Sequence, residues 1–193
     1  NVFLREAGSD AEIQLTTDGV EGNAYARLEW APDSAALVAW RIEPGERKEV
    51  FLIRSSPQGG GRAQIEKRPY ALPGDRFTRF EPSLFDVAAR KQIRLEVDRF
   101  EHEWEEPRLH WRRDGEHFTW MQEDRGHQRL RVIDASARTG TLRLVIDEKT
   151  STFIWPAHTE GLRIQTVNWL EKTDEIIYAS ETSGWRHLYL YDV

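Results

Sequence analysis

The sequence predicts an all-β protein, namely a fragment of a β-propeller with about three four-stranded antiparallel blades and an N-terminal hairpin. Three tryptophans (Trp30, Trp111 and Trp169) each end a short strand-like segment, and an Asp-containing turn and an apolar strand follow each of them. Asp beside Pro, Gly or Ser supplies the side-chain-to-backbone hydrogen bonds that hairpin turns need. No 11-residue window has a helical apolar period, so we expect little helix.

The composition sets the class of protein. The chain has 193 residues, 39% hydrophobic and 11% aromatic, which is enough for a packed core. Its net charge of −6 comes from 27 basic and 33 acidic residues that are intermixed. Because no basic face is indicated, we expect no nucleic-acid partner. Without cysteine, thiol catalysis and thiolate metal sites are excluded.

The strand-like segments divide the chain into four parts. Residues 1–19 are predicted to form a hairpin from a preceding blade, 24–98 a blade with an insertion, 104–148 a second blade, and 149–193 an insertion followed by an incomplete blade. A closed propeller commonly needs about four to eight blades, so we expect the chain to be part of a longer protein. No apolar run is long enough to span a membrane.

Within the first blade, Glu49 to Ser55 alternates on both faces, which predicts a strand in a sheet that is covered on both sides. Ser56 to Gly61 (SPQGGG) is predicted to be a flexible loop tip. Lys91 to Val97 is predicted to be the last strand of this blade.

The spacing of the tryptophans predicts insertions between the blades. The intervals are 81 and 58 residues, whereas propeller blades repeat at about 40 to 50 residues. The excess falls on Gly59 to Pro82 and on Glu148 to Gly161. Such insertions are where a propeller commonly carries its specific contacts.

The residues themselves predict no catalytic centre, metal site or cofactor. A G-x-S-x-G elbow is absent, and the six histidines have no metal-ligand spacing. His102-Glu103 with Glu105-Glu106 is the nearest approach to a ligand cluster, but a charge run usually marks a solvated connection. The arginine-rich pieces Arg108 to Arg113 and Arg125 to Arg131 are likewise predicted to face solvent.

A series of motifs resembles the amino-terminal propeller of the dipeptidyl peptidase IV family, in the prolyl oligopeptidase group of serine peptidases. The matches run through the whole chain in the order that the family has them. They are QLTTDG at 14–19, WAPDS at 30–34, YALPGD at 70–75, LFDV at 84–87, DRGHQ at 124–128 and SETSGWRHLYLYD at 180–192.

The resemblance implies a noncatalytic propeller segment that gates and shapes the access of peptide substrates to an α/β-hydrolase domain further along the parent chain. The partners it implies are that C-terminal domain and peptide substrates. Thr150 to His158 resembles the family segment that reaches toward the substrate cavity, which makes Phe153 and Trp155 the candidate pocket wall. Packing of both rings between blades is the alternative.

One interval departs from the family pattern. Members that cleave dipeptides carry an acidic pair for the substrate's amino terminus between the TTDG stretch and the tryptophan hairpin. Here that interval is Val20 to Glu29, without adjacent acids, and Glu105-Glu106 comes one repeat too late to replace them. Whether the parent protein requires a free amino terminus is therefore open.

Two further expectations remain. The same fold would also allow a stand-alone propeller that serves as a protein-interaction scaffold. Open sheet edges at both ends predict edge pairing, either by Glu12 to Thr16 completing the last blade or by self-association between copies. Bacterial periplasm and cytoplasm are both compatible with the sequence, and the family resemblance favours the periplasm slightly.

Overall fold

The computed structural model describes residues 1–98, 100, 102–155 and 165–193, and the regular secondary structure in them is β-strand throughout. This confirms the predicted all-β class. The strands are β1 Phe3–Arg5, β2 Glu12–Gln14, β3 Ala24–Trp30, β4 Ala36–Glu43, β5 Glu49–Arg54, β6 Gln64–Pro69, β7 Arg79–Asp86, β8 Lys91–Ile93, β9 Leu109–Trp111, β10 His117–Glu123, β11 Arg129–Ser136, β12 Leu142–Lys149, β13 Val167–Leu170, β14 Glu175–Ser180 and β15 His187–Asp192.

The first two strands form an antiparallel hairpin, with Leu4 opposite Ile13. Val2 is buried and packs in one cluster with Leu37 and Phe85. The Val2 N–H donates to the Thr16 hydroxyl at 2.8 Å. These contacts attach the hairpin to the sheet that contains β4 and β7.

The first four-stranded sheet has the order β3-β4-β7-β8. Its central strand β4 is buried from Ala36 to Trp40, as expected for a strand covered on both faces. The last strand is shorter than the predicted Lys91 to Val97, since β8 ends at Ile93.

The prediction that Glu49 to Ser55 belongs to a sheet covered on both sides is wrong. β5 pairs with β6 in a separate two-stranded hairpin. Phe51, Ile53 and Ile65 are 65%, 73% and 72% exposed. Alternation with apolar residues on both faces indicates a strand, but it does not show whether other layers cover that strand. SPQGGG lies in the loop between β5 and β6, as predicted.

The second four-stranded sheet has the order β12-β11-β10-β9 and contains residues 109–149. Trp111 ends β9, and the turn after it is stabilised as predicted, because the Glu116 N–H donates to Asp114 Oδ1 at 2.8 Å. Most of β10 and β11 is buried. A β-bulge lies at Val132/Ile133, opposite β12.

The third sheet has three described strands in the order β13-β14-β15. β14 is its central strand and is mostly buried, whereas β15 is mostly exposed. The boundaries of the four predicted parts of the chain stay a prediction.

The sheets pack against one another through aromatic and branched side chains. Trp40 of the first sheet and Trp120 of the second are both fully buried, and their ring centroids lie 6.4 Å apart at 81°. Leu130, Val132 and Ile146 of the second sheet pack with Ile176 and Tyr178 of the third. Consecutive sheets therefore meet face to face, as propeller blades do.

The two terminal sheets do not join within the chain. β2 pairs with β1, and β15 pairs with β14. The prediction that Glu12 to Thr16 completes the last blade is therefore wrong, because Val2 and Leu4 hold the hairpin at the first sheet. Edge pairing between copies stays a prediction. In the described part of the chain, no helix is long and apolar enough to cross a membrane.

Candidate functional site

The turn at Asp124–Gln128 holds the segment that follows β12. Asp124 Oδ1 accepts the N–H groups of Gln128 and Arg129 at 2.8 and 3.0 Å, which fixes the turn. The carbonyl oxygens of His127 and Gln128 accept the N–H groups of Ile154 and Thr150 at 2.6 and 3.0 Å. The DRGHQ motif therefore anchors residues 150–154, a role that the sequence did not reveal.

Phe153 and Trp155, the predicted pocket wall, lie on the wall of a cavity of about 310 Å³. Their rings are 5.8 Å apart at 60°, and they are 46% and 50% exposed. Ile154 between them is buried in the core that joins the second and third sheets. The segment thus presents two aromatic rings outward and one aliphatic side chain inward. Residues 156–158 of the predicted segment lie outside the described residues.

Glu148, at the end of β12, places a carboxylate in the same cavity. Its Oε2 atom accepts hydrogen bonds from the Tyr178 hydroxyl at 2.6 Å and from the Ser180 hydroxyl at 2.7 Å. Burial, and then the hydrogen bond to Glu148, raise the pKa of Tyr178, so its hydroxyl remains a donor. Among the described residues, Oε1 accepts no hydrogen bond and can receive a donor from a ligand.

Arg186 connects the third sheet to the aromatic segment. Its Nη2 donates to the Trp155 carbonyl oxygen at 2.6 Å, and its Nε lies 3.9 Å from Glu181 Oε1. The backbone of Trp155 is therefore held from the turn between β14 and β15, while that of Ile154 is held from the turn between β10 and β11. Sequence reasoning missed Glu148 and Arg186 because their partners are about 30 residues away.

The Glu105-Glu106 pair lines a second cavity, of about 370 Å³, with Trp169 and Glu123 on its wall. Glu106 forms an ion pair with Arg27 of β3. The sequence contains no signal for this cavity, since its wall combines residues before β9, at the end of β10 and around β13.

Glu103 contradicts the prediction that residues 102–106 form a solvated connection. It is 4% exposed, and its Oε1 atom accepts from Gln122 Nε2 at 3.2 Å. Burial raises the pKa of Glu103 to about 7, and the bond from Gln122 and the charge of Arg131 oppose this shift. His102, Glu105 and Glu106 are exposed, as predicted.

Arg131 contradicts the prediction that the arginine-rich pieces face solvent. It is 2% exposed, and its Nη2 donates to Gln122 Oε1 at 2.8 Å. Its guanidinium lies 4.9 Å from the centre of the Phe100 ring. The preceding arginine in the strand, Arg129, pairs instead with Asp147 near the surface. Gln122 and Phe100 lie against the Arg131 side chain, and the sequence spacing does not show these contacts.

The described residues contain two close histidine–carboxylate pairs. His117 Nδ1 lies 3.2 Å from Asp134 Oδ2, and His127 Nδ1 lies 2.6 Å from Glu123 Oε1. The Ser180 hydroxyl bonds to Glu148 and to the Thr182 hydroxyl. Within the described ranges no group of three or more His, Cys, Asp or Glu is arranged to hold a metal ion. The absence of a catalytic centre stays a prediction.

Comparison with known proteins gives a consistent result. The family described as "Dipeptidyl peptidase IV (DPP IV) N-terminal region" matches residues 1–193. The structure of Porphyromonas gingivalis dipeptidyl peptidase 4 aligns with a TM-score of 0.62 and 19% identity, over 95% of this chain and 27% of that one. A putative dipeptidyl aminopeptidase IV from Bacteroides ovatus aligns with a TM-score of 0.58 and 16% identity, over 91% and 25%. The chain thus spans about a quarter of the length of these two proteins.

Proposed function

Because the chain belongs to the family of dipeptidyl peptidase IV N-terminal regions, we propose that it forms part of the wall through which peptides reach a serine hydrolase domain elsewhere in the parent protein. The chain itself then supplies recognition and not catalysis. The cavity beside Phe153 and Trp155 is the recognition site.

The observation that carries this proposal is the pair of half-exposed aromatic rings, which two different sheets hold at one cavity. Both rings are about half exposed, whereas Ile154 between them is buried in the core. The His127 carbonyl oxygen, which accepts from Ile154 N–H, and the Arg186 side chain, which donates to the Trp155 carbonyl oxygen, hold the segment from both sides. Such an arrangement provides a rigid apolar surface for a ligand.

The polar groups of the cavity suit a peptide. Glu148 Oε1 can accept an N–H group, and the hydroxyl-bearing residues Thr150, Thr152 and Thr182 line the same space. A peptide has both apolar side chains and backbone N–H donors. It can therefore contact the aromatic rings and also donate hydrogen bonds to the polar groups of the cavity.

Substitution of the aromatic wall tests the proposal. In the full-length protein that contains this chain, Trp155→Ala should raise KM for short peptides about three- to tenfold, because an aromatic contact contributes about 1 kcal/mol. Turnover at saturation should change little, since the ring is not part of the reacting groups.

Phe51→Ala is the matched control, since Phe51 is an exposed aromatic residue on the separate β5–β6 hairpin. It should leave KM unchanged. An unchanged KM in both Trp155→Ala and Phe153→Ala would overturn the proposal. A parent protein without a hydrolase domain would favour an interaction scaffold instead.

The requirement for a free amino terminus forms a second part of the proposal. Val20 and Asn23 close a tight turn through hydrogen bonds of 3.0 and 3.1 Å, and no two acids are adjacent between Val20 and Glu29. We therefore expect full-length protein to cleave peptides with free and blocked amino termini at similar kcat/KM. Exclusive cleavage of free termini would show that another carboxylate provides the clamp.

A further inference from the structure

The cavity wall continues into a longer row of aromatic side chains, here called the aromatic ledge and defined as Trp104, His127, Phe153 and Trp155. The ring centroids of Trp104 and His127 are 4.7 Å apart, and those of His127 and Phe153 are 4.8 Å apart. Phe153 and Trp155 follow at 5.8 Å. The His127 side chain, between Trp104 and Phe153, is only 12% exposed, so Trp104, Phe153 and Trp155 form the exposed part of the ledge.

The far end of the ledge is rigid. The Trp104 N–H donates to the Glu123 carbonyl oxygen at 2.7 Å, and His127 Nδ1 lies 2.6 Å from the buried Glu123 side chain. The backbone of Trp104 and the ring of His127 are thus held at the end of β10. Trp104 nevertheless remains 39% exposed, close to the exposed fractions of Phe153 and Trp155.

A cation lies at this end. The Arg125 guanidinium lies 3.9 Å from the centre of the Phe77 ring and 5.7 Å from that of Trp104. Arg125 is exposed, and among the described residues no carboxylate pairs with its side chain. An exposed guanidinium that is held by rings and lacks an anionic partner favours a ligand carboxylate.

We infer that the aromatic ledge binds the distal part of a longer peptide, with an apolar side chain over Trp104 and an acidic group at Arg125. This inference rests on the proposed function, because the peptide must first occupy the cavity at Phe153 and Trp155. The aromatic ledge would then give the parent protein a preference for longer peptides, and among these for peptides with an acidic group near the distal end. A dipeptide spans only about 7 Å and would end before it reaches Trp104, whose ring lies two ring spacings beyond Phe153.

The inference is tested with the full-length protein and three sets of peptides that share their first residues. One set ends after two residues, and two sets have about eight residues, with either a glutamate or a glutamine near the distal end. Trp104→Ala should raise KM for both longer sets about three- to tenfold and leave the short set unchanged. Arg125→Gln should remove the preference for glutamate over glutamine.

Two variants serve as controls. Trp30→Ala removes an indole of similar exposure, 48%, from the first sheet and should change none of the three sets. Trp104→Phe keeps an aromatic ring and should restore much of the affinity for the longer peptides. Thermal unfolding of each variant shows whether it is folded.

The possible outcomes separate the inference from the proposed function. If Trp155→Ala raises KM for all sets while Trp104→Ala changes KM for none, peptide binding at the aromatic ledge is contradicted. The proposed role of the cavity at Phe153 and Trp155 is then supported. If Trp104→Ala raises KM equally for short and long peptides, the inference is also contradicted, because the contact with Trp104 would not depend on peptide length. If neither Trp155→Ala nor Phe153→Ala has an effect on any set, the proposed function fails.

Discussion

At the scale of single residues, neighbours distant in the sequence decide whether a charged side chain is solvated. Glu103 and Arg131 both lie in charge-rich stretches, yet Gln122 bridges them inside the structure through bonds of 3.2 and 2.8 Å. Among the described residues, Arg131 Nε has no hydrogen-bond partner. A buried network that is only partly satisfied is costly, so its protonation state should affect stability.

Glu103 should make stability depend on pH between its ordinary pKa, 4.5, and its folded value of about 7. In this window the folded state keeps the proton and the unfolded state loses it. Stability should therefore fall as pH rises from 4.5 to 7, with a slope of at most about 1.4 kcal/mol per pH unit from this group.

Glu103→Gln removes the titration and keeps an oxygen that can accept from Gln122. Denaturant unfolding at several pH values should show a flatter dependence in this variant than in the unchanged chain. Glu105→Gln, at an exposed neighbouring position, controls for the loss of one charge. Equal slopes in the unchanged chain and in Glu103→Gln would contradict the assignment.

At the scale of elements, turns do more than reverse the chain. Gly140, in the turn between β11 and β12, has φ of +74°, and a Cβ atom there would lie 2.3 Å from the Arg94 carbonyl oxygen. The turn can thus approach the connection after β8 only without a side chain. The DRGHQ turn similarly anchors residues 150–154.

Gly140→Ala should destabilise the chain by about 2 to 4 kcal/mol, because backbone strain adds to the clash with backbone. Gly184→Ala is the matched control, since Gly184 also has positive φ, +93°, but nothing lies within 4 Å of the added atom. It should cost only about 1 kcal/mol. The midpoint of denaturant unfolding measures both. Equal losses would show that the approach to Arg94 does not matter.

At the scale of the whole molecule, large buried rings join the sheets. Trp40 and Trp120 meet between the first and second sheets, edge to face. Tyr178 and Ile176 of the third sheet meet Val132 of the second. The cohesion of the molecule therefore depends on contacts between sheets as much as on strand pairing.

Trp120→Ala should lower the free energy of unfolding by about 3 to 5 kcal/mol, because it leaves a cavity beside Trp40. Trp185→Ala removes an indole that is 80% exposed and should change the free energy by less than about 0.5 kcal/mol. Denaturant unfolding of the two variants gives the comparison. Losses of similar size would contradict the packing between the sheets.

The sequence by itself determined the all-β class and the tryptophan-and-aspartate turns, and its family resemblance predicted Phe153 and Trp155 as the pocket wall. These features are local, since a turn needs only nearby residues and a strand shows its period within a few positions. The family resemblance likewise lies in short motifs such as DRGHQ and SETSGWRHLYLYD, and the match over residues 1–193 agrees with it.

Only the tertiary structure decided which side chains are covered and which meet. It exposed Phe51 and Ile53, buried Glu103 and Arg131, and brought Arg186 to the Trp155 carbonyl oxygen. Each outcome depends on sheets that pack across tens of residues, because the same alternating strand can be covered or bare. The candidate site also depends on the tertiary structure, since its cavity exists only where the segment after β12 meets the turn before β15.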